Sequence, residues 1–177
     1  MTDPELASTE RLKNLIKLTG DIDVDVVLNL KELLRRELRY DEDFKLEKVA
    51  EIYDTDTEAI PSFPAICIEI TSAQTQQRTI GKERATFLRT VELDIKFYGA
   101  DVNDKNATRI VRLGGSRISS VISRNADLNG YCRMGLRLGA VTYPDVVFGT
   151  KIIRAAVIPV IAPIMYRDRS AGPGARP

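Results

Sequence analysis

TFLRTVELDIKFYG, from Thr86 to Gly99, alternates with a period of two. Phe87, Val91, Leu93, Ile95 and Phe97 share one face, interrupted by Arg89, while Thr90, Glu92, Asp94 and Lys96 share the other. The pattern predicts a long strand with one face in a core and the other wet or pressed against a partner. Directly after it, Asn103 to Arg124 switches to a helical period. Ala107, Ile110, Leu113, Gly114, Ile118, Val121 and Ile122 are expected inward, and Arg109, Arg112, Ser116, Ser119 and Ser123 outward. Gly114 and Gly115 each cost such a helix about 1 kcal/mol relative to alanine, which predicts a backbone lying close against the sheet. Neither GxGxxG nor GxxxxGK spacing is there to make the pair a phosphate loop.

Upstream, Pro4 to Leu18 reads as a helix with a narrow stripe of Leu12, Leu15 and Ile16, ended by Gly20. It docks on the domain or reaches a neighbour as an arm. Asp23 to Tyr40 repeats Val27, Leu30, Leu34 and Leu38 at helical steps and is expected to cover one face of a sheet. Leu46 to Tyr53 and Ala65 to Thr71 read as strands, the second with Ile66, Ile68 and Ile70 pointing one way. The polar, glutamine-rich segment 73–84 reads as a mobile loop, since almost nothing apolar pins it down. Asn129-Gly130 signals a turn before a strand near Gly135 to Tyr143. A last strand runs from about Ile152 to Ile161, and prolines at 159 and 163 predict a sheet edge. Arg167 to Pro177, rich in arginine, glycine and proline, reads as a disordered tail. The expected fold is α+β: residues 1–166 as one domain, an antiparallel or mixed sheet with helices packed on one face.

At 177 residues the chain is long enough for one real core and too short for two ordinary domains. Its 26 basic and 25 acidic residues nearly cancel, so no global field draws it to nucleic acid or membrane. The N-terminal MTDPELASTE has the opposite character to a secretory signal, which predicts synthesis and retention in the cytoplasm. The apolar run Ala155 to Met165 is far shorter than the roughly 20 residues of a membrane span. Cys67 and Cys132 have no metal or redox spacing and read as buried, reduced thiols. The chain has no histidine, which removes the commonest side chain for proton transfer near neutral pH.

Asp94-Ile95-Lys96 is the sharpest catalytic candidate, because metal-dependent nucleases of the PD-(D/E)xK type place an acid and a lysine two apart on a strand. There the carboxylate helps hold a cation that activates water, and the lysine stabilises developing charge. Glu92, Glu69, and Asp54 or Asp56 could complete such a site. Alternating charges on the wet face of a strand produce the same spacing without chemistry, and Pro144-Asp145 follows the element it ought to precede. Asp54, Asp56 and Glu58 read as a solvated acidic turn, lacking the glycine and final glutamate of a calcium loop. Arg78, Lys82 and Arg84 could touch nucleic acid or a protein partner. With those readings no cofactor and no metal is expected.

From Leu46 to Ile161, the order FLRTVELDIKFYG, amphipathic helix, asparagine turn, GLRLGAVTY and IIRAAVIPV resembles the tail terminator and tail completion (neck) proteins of long-tailed bacteriophages. The resemblance lies in element order, lengths and loop placement. It implies a non-enzymatic virion protein, assembled as a hexameric ring on the last ring of the tail tube. It also implies contacts with the tube protein, with the neck or connector, and with a sheath protein if the tail contracts, while DNA passes without specific binding. Arg78, Lys82, Arg84, Arg167, Arg169 and Arg176, in the segment 73–84 and the tail, are the expected partner contacts.

Overall fold

The computed structural model describes residues 19–39, 51–54, 60, 63–79, 86–99, 104–148 and 151–167. The expected helix over Pro4 to Leu18 lies outside them. The first described helix, α1, spans Ile22–Arg39. Asp21 caps it, its Oδ1 accepting from the Asp23 amide at 3.0 Å, and Asp23 and Asp25 place negative charge at the positive end of the helix dipole. Short β1 (Glu51–Tyr53) then runs parallel to β2 (Ala65–Thr79). β2 is antiparallel to β3 (Thr86–Gly99), and α2 follows at Asp104–Arg124. The remaining strands are β4 (Arg137–Leu138), β5 (Asp145–Phe148) and β6 (Lys151–Arg167). The described strands form one mixed sheet in the order β1-β2-β3-β6-β4, with β5 also paired to β6.

Both helices pack on one face of this sheet, as expected. Val26, Leu30 and Leu34 of α1 and Val111, Ile118 and Ile122 of α2 share a core with Ile66, Ile68, Leu93, Ile95, Phe97, Ile158 and Val160. Leu113, expected inward, is 48% exposed, and Val111 takes the inner place. The line through Ala107, Val111, Gly114 and Ile118 is the one that meets the sheet, and Leu113 lies beside it. Gly114 has the role its sequence suggested: a Cβ there would fall within the Phe97 ring, and one on Gly115 would lie 2.9 Å from the Ala156 methyl. Arg89 interrupts the apolar face of β3 for a reason. Its Nε donates to Asp23 Oδ1 at 2.9 Å, a second guanidinium nitrogen reaches Oδ2, and Nη1 donates to Thr75 Oγ1 at 2.9 Å, which ties the start of α1 to the sheet.

Two expectations are corrected. Ala73 to Thr79 is not loop: β2 continues through it, paired residue by residue with β3 from Ala73↔Val91 to Thr79↔Thr86. Threonine and glutamine tolerate a pleated backbone, and two register shifts, between Ile70 and Ser72 and between Gln77 and Thr79, absorb the irregular pattern. Likewise β6 is not an edge but lies inside the sheet, between β3 and the short β4 and β5. The prolines fit because Ala155, Val157 and Pro159 turn their peptide groups away from β3, toward Pro144, Thr142 and Gly139. By alternation Pro163 turns the same way, so neither proline removes a bond from the β3 ladder. With no Pro159 N–H to give, the facing strand breaks after Gly139 and resumes only as a bridge at Thr142, where an unbroken strand to Tyr143 was expected.

The turn after α2 carries Leu128, Asn129 and Gly130 at positive φ, as Asn129-Gly130 suggested. It buries Cys132, whose thiol donates to the Pro163 carbonyl at 3.4 Å. Neither cysteine is in a disulfide, and both are buried. Burial pushes the Cys132 thiol up to about 11, and burial followed by the nearby Asp25, Asp21 and Asp23 pushes the Tyr131 phenol up to about 12.

Two outcomes follow. Gly114→Ala gains about 1 kcal/mol of helix propensity but overpacks a ring that cannot retreat, so a net loss of about 1–2 kcal/mol is expected in urea unfolding, with m unchanged. Because the folded state holds protons on Cys132 and Tyr131 that the unfolded chain releases, stability is full below about pH 9 and falls as pH rises toward 11–12. Melting temperatures measured across that range check the sign.

Candidate functional site

The strand-to-strand register decides what the charged row on β3 can do. Asp94 lies opposite Glu69 of β2 and opposite Pro159 of β6. Two carboxylates facing each other repel, and Lys96, on the adjacent diagonal, answers them: its Nζ is 2.6 Å from Glu69 Oε2. Glu92, paired with Ser72, is exposed. Asp54 sits at the end of β1 and faces Lys31 of α1 at 3.5 Å, so it does not join the row. Asp56 and Glu58 lie outside the described residues. Among the described residues no group of three His, Cys, Asp or Glu gathers as a metal site. In this arrangement the lysine is turned across the strands to a neighbouring carboxylate.

The same face of the sheet, opposite the helices, divides along its length. At one end Cys67, Tyr98, Ile153 and Ala155 form a second small core, covered by Tyr53, Ile60, Phe63 and Val146. At the other end Val157, Pro159, Ile161, Pro163 and Met165 line up across from Lys96, Asp94, Glu92, Thr90 and Leu88. Met165 there is 56% exposed and Ile161 36%. Leu88 and Pro163 there are buried, so this end mixes exposed and covered residues, and its exposed apolar part at Ile161 and Met165 is a candidate contact surface.

Its margin is the more telling feature. β1 pairs with β2 only from Ala65 to Cys67. Because peptide direction alternates, and the β6 bonds fix which residues face which neighbour, Glu69, Ser72, Gln74 and Gln76 turn toward β3. Ile70, Ala73, Thr75 and Gln77 turn outward. No strand among the described residues meets that outward side. A long edge of this kind is a template for another strand, and the natural deterrents among the described residues are the two register shifts and Arg78. The opposite flank differs: β4 and β5 cover β6, and Pro163 withholds a donor further along.

Of the expected contact residues, Arg78 is exposed at the far end of β2, and Arg167 ends β6 opposite Thr86. Lys82, Arg84, Arg169 and Arg176 lie outside the described residues. The outward backbone groups of Ala73 and its neighbours escape a reading by side-chain chemistry. The signal that could have found them is the threonine content of a run otherwise taken for loop.

No protein-family model matches the chain, and no curated protein matches it.

Lys96→Ala leaves Glu69 facing Asp94 without its counter-charge. Since the pair is partly exposed, the expected loss is below about 1 kcal/mol, and adding Glu69→Gln recovers most of it. Urea titrations of the single and double variants measure this. Magnesium-dependent DNA cleavage present in the parent and abolished in Lys96→Ala would instead return the pair to catalysis.

Proposed function

We propose that the chain is a structural virion subunit that closes into a six-membered ring at the head-proximal end of a phage tail tube, ends tube growth and joins the tail to the neck. The observation that carries this reading is the edge of β2 beyond Cys67, which no strand among the described residues meets, beside a mixed sheet face. A ring of identical subunits needs head-to-tail contacts between unlike surfaces. The unpaired β2 edge and the capped β4-β5 flank are two such surfaces at opposite sides of one sheet. The element order from Leu46 to Ile161 that resembles tail terminator and neck proteins supports the same reading.

In this proposal the β2 edge, rather than a loop over 73–84, engages the neighbouring subunit. The face bearing Ile161 and Met165 meets the tube protein or the connector, with sheath contacts where the tail contracts. The subunit carries no catalytic duty in this role, and DNA passes it without base-specific contacts.

Native mass over a wide concentration range is the first test, and a closed species of six subunits is the expected result. Ala73→Pro combined with Gln77→Pro removes two outward N–H groups and keeps the β3 ladder. It is expected to abolish the ring while circular dichroism stays native. Gln74→Pro, which strikes the ladder itself, is expected to unfold the hairpin. A folded edge variant that still assembles removes β2 from the interface. A parent chain that stays monomeric throughout and is not retained on isolated tail tubes overturns the reading.

A further inference from the structure

We infer that the free subunit pairs with a second copy of itself through β2, strand against strand about a two-fold axis at Thr75. An antiparallel ladder joins residues whose peptide groups face each other. On the outward side of β2 these are Ala73, Thr75 and Gln77, which no strand among the described residues meets. The register that uses all three sets Ala73 against Gln77 of the second copy and Thr75 against its own counterpart. It lies between the two register shifts, so no irregularity falls inside the ladder. Residues 72–77, SAQTQQ, hold neither charge nor proline to oppose the pairing. The lane beside β2 has matching room. β1 occupies it only as far as Cys67, and the incoming β2 ends with Thr79 opposite Thr71.

The charges at the ends of this ladder select the second copy as the occupant. Arg78 and Glu92 are both exposed, and neither joins an ion pair among the described residues. Glu92 stands beside Ser72 on the sheet face away from the helices, and alternation from Gln76 places Arg78 on that face too. In the register centred on Thr75, Arg78 comes opposite Ser72 of the second copy, one strand from that copy's Glu92. Two strand spacings, about 10 Å between backbones, lie within the joint reach of an arginine and a glutamate. The two-fold axis repeats the contact, so four exposed charges become two ion pairs between copies. Near the axis Arg89 adds no repulsion, because Asp23 already holds its guanidinium.

A copy paired in this way cannot offer the same edge to a ring. In the ring reading the dimer is therefore a waiting state, which shields an edge that recruits strands and opens before head-to-tail closure. The pairing itself rests on β2 and its flanking charges alone.

The test is sedimentation velocity of the full chain at low micromolar concentration, where a two-subunit species is expected. Arg78→Glu should weaken that species about tenfold, as should Glu92→Arg, because each swap turns two attractions into two repulsions. Arg78→Glu combined with Glu92→Arg should restore it, with circular dichroism native in all three variants. Under oxidation Thr75→Cys, which meets itself only across a two-fold axis, should yield a covalent dimer, and Gln77→Cys should not. The proposal is overturned if no two-subunit species forms, or if both single swaps leave the dimer unchanged. A closed six-subunit species in which Thr75→Cys fails to cross-link keeps the ring and removes the two-fold pairing.

Discussion

The contact between the Phe97 ring and the backbone of Gly114 sets how far the helical layer stands from the sheet, and the architecture depends on that distance. Phe97 is fully buried in the middle strand of the β2-β3-β6 ribbon. A side chain at 114 would lift α2 and open voids around Ile118, Ile122 and Ile158, which meet in the same core. The helix tolerates two adjacent glycines because the packing they permit outweighs the lost propensity. Arg89 completes the attachment from the other end of β3 by gripping the first turn of α1.

β3 is paired on both sides over nearly its whole length, so the sheet's openness is confined to its margins. Those margins are unequal for a reason rooted in peptide geometry. On the β6 flank, prolines 159 and 163 point their missing donors outward, and short β4 and β5 pair with Val160 and Ile161 and with residues 151–154. Beyond Cys67, the outward donors and acceptors of β2 meet no strand among the described residues. A subunit whose two edges differ in this way is suited to directional association, which is why the β2 edge anchors the proposed role in assembly.

Charge follows a similar logic of local rather than global balance. On the open sheet face, Lys96 and Glu69 compensate across strands beside Asp94. α2 holds five basic residues and one acid in sequence, and the acids that balance the total lie elsewhere in the chain. A composition that sums to near zero therefore hides two different electrostatic surfaces.

What the sequence determined by itself was everything governed by local period. Thr86 to Gly99 was legible as a strand, Asp23 to Tyr40 and Asn103 to Arg124 as helices within a residue of their observed ends, and Gly114 as a close approach. These signals are repeated along contiguous residues, so each reinforces the next. The strand character of Ala73 to Thr79 was not legible, because both faces there are polar and no alternation marks them. Nor was the interior position of β6: a proline announces a missing donor but not the side on which it is missing. Tertiary structure alone decided those matters, since strand order and the direction of each peptide group are fixed by which neighbour occupies which side. That same constraint determined that Lys96 meets Glu69 and that no described strand meets the outer side of β2 beyond Cys67.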